Sequence, residues 1–189
     1  MVNFLPSNKK TWDLIIQNAE LTKDDIIYDL GCADGRMVYY LRVLGYNAFG
    51  IEKNEKLYNL AIEIGKERGF IEPIIFFGDV VDYNFLNATV VILYQDNLLL
   101  DQLKYKLLLI PKVISIGSTV PIFEQYLIKK IDNIVDWNCT YVGFYSTFEE
   151  MQNKTLNDVL KDSRAFLETK PFKQENETIY IYKKNEINI

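Results

Sequence analysis

The sequence predicts an α/β protein built on a doubly wound, mostly parallel β-sheet. Short apolar runs typical of buried strands alternate along the chain with longer segments whose apolar residues recur at helical spacing. This alternation implies parallel strands joined by right-handed helical crossovers. No internal repeat and no Pro/Gly/Ser-rich linker divides the 189 residues. We therefore expect one domain spanning residues 1–189.

The predicted helices are amphipathic and have recognisable ends. Asn54 is a typical N-cap, Gly45 and Gly69 are typical residues just after a helix, and Pro111 interrupts a leucine-rich segment. We expect helices at residues 8–21, 36–44, 54–69, 98–109 and 122–131.

The predicted strands are short and rich in apolar or β-branched residues. The tail of the chain differs from the first half, because residues 138–148 and 178–182 alternate between apolar and polar side chains. A further helix is predicted between these two segments, at residues 156–167. We expect buried strands at residues 26–30, 48–51, 74–77, 89–93 and 113–116.

Composition excludes several classes of function. The chain has no histidine and only two cysteines, so histidine-based catalysis is excluded and we expect no metal site. A formal net charge of −5 argues against broad nucleic-acid binding and suits small molecules or basic protein partners. The sequence has neither an apolar stretch of about twenty residues nor a signal peptide. We expect a cytoplasmic protein that does not insert into membranes.

The first strand runs into a glycine-containing turn, IIYDLGCADGR, and then a helix. A dinucleotide-binding loop requires the pattern Gly-x-Gly-x-x-Gly, and when its first glycine is Gly31 the other two positions are Ala33 and Arg36. Asp29 and Asp34 would also repel a pyrophosphate. Asp34 has an alternative structural interpretation as a helix cap. The loop therefore favours a cationic ligand over a phosphate.

Three acidic residues lie at the ends of three successive predicted strands. S-adenosylmethionine carries an ammonium group and a sulfonium but no phosphate, and these acids suit it. We expect Asp29 to bind the ammonium, Glu52 to accept both ribose hydroxyls, and Asp79 to meet the adenine amino group. Gly31 and Gly35 would let the backbone approach the methionine and ribose portions closely. We also expect Glu52 to act on the cofactor alone, with little effect on the stability of the free protein.

The segments DLGCADGR, GIE and GDV resemble the class I S-adenosylmethionine-dependent methyltransferases, with Ala33 in place of the middle glycine of their first motif. Within that family the chain is similar to the archaeal branch related to Dot1-type protein lysine methyltransferases, which also have a segment like FLPSNKKTWDLI. The similarity covers residues 1–117 and is thin over residues 118–176. It implies a Rossmann-like sheet of seven strands whose last strand, in ETIYIYKK, is antiparallel.

The resemblance also divides the chain and assigns its residues. It implies an N-terminal helical segment at residues 1–25, a cofactor-binding half at 26–117 and a substrate-side half at 118–189. No chemistry is assigned to Cys32, a small residue of the loop. The expected cofactor-binding residues are Phe4, Pro6, Asp29, Gly31, Cys32, Ala33, Gly35, Glu52, Asp79, Val80 and Tyr94.

The turn YQDN, residues 94–97, lies where methyltransferases of this class hold the methyl acceptor. It lacks the Asp/Asn-Pro-Pro-Tyr/Phe turn of DNA adenine methyltransferases. We expect Tyr94 and Asn97 to be catalytic and to accept hydrogen bonds, as Gln95 also can, from a lysine amine of a basic protein. An ordinary loop that caps the following helix is the structural alternative.

The substrate half departs from the archaeal branch, since SIGSTVP at residues 115–121 replaces an acid-bearing segment. The sequence therefore does not determine the identity of the methyl acceptor. The alternatives are methylation of RNA or of a small molecule, and a catalytically silent module that binds S-adenosylmethionine.

Overall fold

A computed structural model describes residues 7, 9–132, 134–137, 173–176 and 178–184. Phe4, Pro6 and the elements predicted at residues 138–148 and 156–167 lie outside the described residues. The helices are α1 Lys9–Asn18, α2 Arg36–Val43, α3 Glu55–Glu67 and α4 Asn97–Leu107. The strands are β1 Ile26–Leu30, β2 Asn47–Glu52, β3 Ile75–Phe77, β4 Val90–Leu93, β5 Lys112–Ile116, β6 Leu127–Ile131, β7 Ile134–Trp137, β8 Lys173–Asn176 and β9 Ile179–Lys183.

Seven strands form one mixed sheet in the order β3-β2-β1-β4-β5-β9-β6. The pairs β1/β2, β2/β3, β1/β4 and β4/β5 are parallel, whereas β9 runs antiparallel to both β5 and β6. The predicted seven-stranded sheet with an antiparallel last strand is therefore confirmed. The chain moves outward from β1 to β3 and then returns to β4 on the other side of β1. This reversal opens a crevice beyond the carboxyl ends of β1 and β4, where such sheets bind ligands.

Helices cover both faces of the sheet. On one face α1, α2 and α3 pack through residues such as Ile15, Val38 and Ala61, each fully buried. On the other face α4 contributes Leu103, which lies against strand residues that include Leu93. The short apolar runs are thus buried on both sides, as parallel strands in doubly wound sheets are.

Helix starts follow local capping chemistry. The side chain of Asn54 accepts hydrogen bonds from the backbone N–H groups of Lys56 and Leu57 and so caps α3, as predicted. Asp96 caps α4 by accepting from the N–H of Leu99. The strands β1, β2 and β4 lead through short loops into α2, α3 and α4, respectively. The carboxyl ends of these strands and the starts of these helices therefore lie at one edge of the sheet.

The helix predicted at residues 122–131 is wrong. Residues Pro121–Tyr126 form a 3-10 helix, and Leu127–Ile131 form β6. The apolar residues of this segment have helical spacing, but pairing with β9 satisfies the backbone of the second half. Pairing with β9, a strand distant in sequence, therefore determined the structure of this segment in place of its helical apolar spacing.

Two further strands, β7 and β8, pair antiparallel outside the main sheet and were not predicted. Across the described part of the chain, no helix is both long and apolar enough to cross a membrane.

Candidate active site

A cavity of about 210 Å³ lies beyond the carboxyl ends of β1, β2, β4 and β5. It is therefore located at the reversal of strand order, where the fold predicts a ligand site. The cavity is lined by Ser7, Asp29, Gly31, Cys32, Ala33, Asp34, Arg36, Met37, Ile51, Glu52, Lys53, Leu57, Gly78, Val80, Tyr94, Gln95, Leu99 and Ile116.

The loop after β1 forms one wall of the cavity through its backbone. The N–H groups of Gly31 and Cys32 both donate to the carbonyl of Ile51, at 2.9 and 3.0 Å, which ties the loop to β2. Gly31 and Gly35 have φ of +82° and +72°, and Ala33 has φ of +52°. All three lie in the left-handed region, where a Cβ costs about 1–2 kcal/mol. Ala33 therefore occupies a conformation that suits the glycine it replaces.

Glu52 fixes this loop in place. Its Oε2 accepts from the N–H of Ala33 at 2.9 Å, and its Oε1 accepts from the N–H of Asn54 at 2.7 Å. Only 6% of the residue is exposed, and burial raises the pKa of its carboxyl although the backbone N–H groups of Asn54 and Ala33 act in the opposite sense. The sequence-based expectation that Glu52 serves the cofactor alone was therefore incomplete, since Glu52 also pairs two backbone donors.

Asp29 is the most strongly perturbed acid in the cavity. It lies at the carboxyl end of β1, and burial, with the neighbouring charges of Glu52 and Asp34, raises the pKa of its carboxyl to about 7. None of the ion pairs between described residues includes Asp29. Its carboxylate is therefore favoured by a cationic ligand, which would compensate the cost of burying the charge.

Asp34 and Arg36 pair with each other at the start of α2. The guanidinium Nε of Arg36 donates to both carboxylate oxygens of Asp34 at 2.9 Å, and its Nη2 contacts Oδ2. The carboxylate also accepts from the backbone N–H of Arg36 at 3.3 Å. The N-cap of α2 is Gly35 and has no side-chain cap bond, so Asp34 contacts Arg36 at the helix start without being the N-cap residue.

Asp79 lies in the turn after β3 and is not among the residues that line the cavity. One oxygen accepts from the N–H of Val81 at 3.0 Å, and the other is 3.3 Å from the ammonium of Lys53. These contacts, led by the Val81 N–H, lower the pKa of the Asp79 carboxyl. Its neighbours Gly78 and Val80 do line the cavity, so the contact of Asp79 with adenine stays a prediction.

At the opposite end of the cavity lie the two residues that follow β4. Tyr94 is partly buried, and a Cβ added to Gly117 would lie 2.9 Å from its ring. Gln95 donates from Nε2 to the carbonyl of Leu30 at 2.9 Å. Asn97 is exposed as the first residue of α4 and does not line the cavity. The structure thus brings Tyr94 and Gln95 to the site, while the role of Asn97 stays a prediction.

The chain matches the family model described as tellurite resistance protein TehB over residues 7–163. The chain belongs to the TehB family. A protein-lysine N-methyltransferase from Saccharolobus islandicus (strain REY15A) is 29% identical over 110 residues, which span 56% of this chain and 68% of that protein.

Solved structures show the same fold. A crystal structure of an RNA methyltransferase from Salinibacter ruber in complex with S-adenosyl-L-homocysteine matches with a TM-score of 0.66 at 22% identity, over 96% of this chain and 95% of that one. A dimethyladenosine transferase from Plasmodium falciparum matches with a TM-score of 0.60 at 14% identity, over 96% of this chain and 64% of that one. The TehB-family chain is a class I methyltransferase, and its cofactor is S-adenosylmethionine.

The residues of the TehB-family site fit this cofactor. The carboxylates of Asp29 and Glu52 line the cavity, and carboxylates are the type of group that binds cationic amines and hydroxyl groups. The described residues contain no acid or cysteine cluster that would hold a metal ion. When bound, the cofactor supplies a methyl group activated by the neighbouring sulfonium. The chain itself must bind and orient the two reactants and keep water from the reacting carbon.

Several lining residues of this TehB-family site were missed from the sequence. Ser7, Lys53 and Gly78 each lie next to a residue that was predicted, so a neighbour along the chain was the available signal. Ser7 is held by the indole N–H of Trp12, which donates to its hydroxyl at 2.8 Å. The apolar lining residues carried no distinct signal, because their pattern resembles that of ordinary core residues: Met37, Ile51, Leu57, Leu99 and Ile116.

Proposed function

We propose that the chain transfers methyl groups from S-adenosylmethionine to a lysine amine of a basic protein. The observation that carries the proposal is the charge pattern of the cavity. Arg36 and Lys53 are the cations of its described lining, and each is paired with a carboxylate. Asp29 and Glu52 form no ion pair among the described residues. The cavity therefore attracts cations and repels anions.

In the proposed complex Asp29 binds the cofactor ammonium and Glu52 accepts from the ribose hydroxyls. Asp79 and Val80 contact adenine, and the loop from Gly31 to Gly35 contacts the methionine portion. Phe4 and Pro6, outside the described residues, stay predicted cofactor-binding residues. Glu52 keeps acceptor capacity for this role, because its two carboxylate oxygens have about four lone pairs in all and the backbone N–H groups of Ala33, Asn54 and Lys53 do not use all of them.

This arrangement leaves the acceptor to enter between Tyr94 and Ile116. A lysine side chain suits that passage, because its aliphatic stem can pack against an aromatic ring and an aliphatic wall. The amine must first lose its proton to water, since only the neutral nitrogen has a free electron pair. The nitrogen then bonds to the methyl carbon as the carbon–sulfur bond breaks and its electron pair stays on sulfur. The methylated nitrogen carries the positive charge until it loses a further proton.

Anionic acceptors fit the cavity less well. RNA, the substrate class of the Salinibacter ruber methyltransferase, brings phosphates that require unpaired cations. Tellurite, the oxyanion in the family description, is likewise repelled by the two unpaired carboxylates. The net charge of −5 adds to both effects. The similarity to the lysine methyltransferase of Saccharolobus islandicus further supports the protein acceptor.

Tyr94→Ala is expected to lower methyl transfer about tenfold or more, since a misplaced acceptor loses the benefit of orientation. S-adenosylhomocysteine affinity, measured by calorimetry, should change little. Asn97→Ala is expected to act in the same direction, from the exposed side of the turn. Tyr105→Ala removes an exposed tyrosine of α4 and is the matched control. Equal loss of cofactor affinity and of transfer would contradict the acceptor role of Tyr94, and an unchanged rate would remove Asn97 from the proposal.

The acceptor is tested by incubating the full chain with methyl-labelled S-adenosylmethionine and a cell lysate. We expect label in protein, and mass spectrometry of the digested product should place added methyl groups on lysine. Raising the salt concentration should lower the rate, because the approach of a basic protein to an acidic surface is screened. Label confined to RNA or to small molecules would reject lysine as the acceptor. Retained cofactor binding without any label would indicate a silent module.

A further inference from the structure

The cofactor carries a carboxylate beside its ammonium group, and the backbone of the loop after β1 has little donor capacity left for it. Five of the six N–H groups from residue 31 to residue 36 are already bonded within the protein. These bonds run from Gly31 and Cys32 to the Ile51 carbonyl, from Ala33 to the Glu52 carboxylate, from Gly35 to the Cys32 carbonyl and from Arg36 to the Asp34 carboxylate. The cofactor carboxylate therefore requires a donor from another part of the cavity.

The side-chain donors of the cavity narrow the choice to one residue. Within the described lining, the side chains that carry N–H groups already have partners: Arg36, Lys53 and Gln95. The hydroxyl groups of that lining belong to Ser7 and Tyr94. Tyr94 lies at the other end of the cavity, where its ring is close to Gly117 after β5. Ser7 is therefore the hydroxyl residue that remains for the cofactor carboxylate.

The bond between Trp12 and Ser7 determines which of the two groups is the donor. An indole N–H can only donate, so Oγ of Ser7 is the acceptor of this bond, at 2.8 Å from the indole nitrogen. The hydroxyl proton of Ser7 is then left for a further acceptor, and no described residue accepts it. A ligand carboxylate supplies an acceptor of the required kind.

Packing of α1 on α2 determines where Ser7 lies. Ser7 comes just before α1, and Trp12 of α1 packs against Tyr40 of α2 with the ring centroids 5.4 Å apart. The Tyr40 hydroxyl also donates to Asp13 of α1 at 2.6 Å. Tyr40 is one helical turn after Arg36, which lines the cavity at the start of α2. Ser7 is thus held on the side of the cavity where the cofactor loop leads into α2.

We infer that the Ser7 hydroxyl donates to the carboxylate of the cofactor's methionine portion, and that Trp12 positions this hydroxyl. The inference goes beyond the proposed function and does not depend on the choice of methyl acceptor. Asp29 and Ser7 then bind the two charged groups on the same carbon of the cofactor, the first through a carboxylate and the second through a neutral hydroxyl. A neutral donor suits this cavity, because it adds no cation that would attract phosphate-bearing ligands.

The test compares two ligands by calorimetry: S-adenosylhomocysteine and its decarboxylated analogue, which keeps the nucleoside, the sulfur and the ammonium group. Ser7→Ala should weaken S-adenosylhomocysteine binding about tenfold or more, the effect of one lost hydrogen bond to a charged group. Binding of the decarboxylated analogue should stay within about threefold of the parent. Thr119→Val removes an exposed hydroxyl outside the cavity lining and should change neither affinity. An equal change for both ligands in Ser7→Ala, or no change for either, overturns the inference.

Trp12→Phe tests the positioning role, because it keeps a ring beside Tyr40 and removes the N–H donor. We expect a smaller loss of S-adenosylhomocysteine affinity than in Ser7→Ala, and none for the decarboxylated analogue. The two losses should not add in the double variant, since both act through one hydroxyl. A Trp12→Phe variant that weakens both ligands alike, or whose effect adds in full to that of Ser7→Ala, would contradict the positioning role.

Asp29→Asn separates a failure of this inference from a failure of the proposed complex. Both ligands keep the ammonium group, so this variant should weaken both by similar factors. If it changes neither affinity, the proposed place of the ammonium is wrong. A loss confined to S-adenosylhomocysteine in Ser7→Ala would still support the carboxylate site.

Discussion

Asp29→Asn should weaken S-adenosylmethionine binding by two to three orders of magnitude. The substitution removes the carboxylate that pairs with the cofactor ammonium, and breaking a buried ion pair costs about 3–5 kcal/mol. The parent should also bind more tightly as the pH rises through about 7, because the Asp29 carboxyl, whose pKa is raised to about 7, then becomes ionised. Both effects are measured by calorimetric titration. The pH is kept below about 7.7–8.0, the ordinary pKa of an α-amino group, so that the amino group of the cofactor stays protonated.

The same substitution should stabilise the free protein at neutral pH. The pKa of the Asp29 carboxyl rises from an ordinary 3.8 to about 7 on folding, so the folded chain holds a proton that the unfolded chain has lost. This contribution to the free energy of unfolding is complete below pH 3.8 and is lost as the pH rises to about 7. At about 1.4 kcal/mol per pKa unit the loss is at most about 4 kcal/mol.

Asp24→Asn, the same change at an exposed position, controls for the general effect of removing a charge. Urea unfolding of the parent and both variants between about pH 4 and pH 8 isolates the Asp29 contribution. If Asp29→Asn neither stabilises the free protein nor changes cofactor affinity, Asp29 is not the residue that binds the cofactor ammonium.

Glu52→Ala is expected to impair both binding and folding. The variant loses the acceptor for the ribose hydroxyls, and charge-assisted hydrogen bonds contribute about 1.5–3 kcal/mol each, so affinity should fall at least tenfold. It also leaves the N–H groups of Ala33 and Asn54 without the acceptors that pair them in the structure. Each unpaired donor costs about 1–3 kcal/mol, partly offset by removal of the buried charge.

The measurements are S-adenosylhomocysteine calorimetry and thermal unfolding of the free protein. Glu63→Ala, at an exposed position of α3, is the matched control. Glu52→Gln should recover part of the stability, because its amide oxygen still accepts one of the two backbone bonds. Loss of stability without any loss of affinity would make Glu52 purely structural.

The parallel half of the fold was predictable because its signals are local. The bounds of β1 agree with the predicted residues 26–30, since the apolar run ends at the turn marked by Gly31. The cap at Asn54 was also identified correctly. The segment at residues 122–131 was assigned to a helix because only its own spacing was visible. Its second half became β6 through pairing with β9, about fifty residues later in the chain.

The site was predictable as far as strand ends and residue types determine it. The candidate acids and glycines were proposed because they lie at the ends of recognisable strands or in the turns that follow. Asp29, Glu52 and Gly31 do line one cavity, whereas Asp79 and Gly35 do not. The ion pair of Lys53 with Asp79 and the bond from Gln95 to Leu30 could not be predicted. Each joins the ends of different strands, and its geometry depends on side-chain rotamers that a sequence pattern does not determine.

Titration calorimetry of the full chain with S-adenosylmethionine, with NAD in a parallel titration, tests the account most directly. The acids at the strand ends should give binding of micromolar strength, about −8 kcal/mol, because they favour a cationic nucleoside. NAD should give no heat, because Asp29 and Asp34 oppose its pyrophosphate. Absence of heat with S-adenosylmethionine at millimolar concentration, or equal affinity for NAD, would contradict the central claim that this cavity is built for a cationic cofactor.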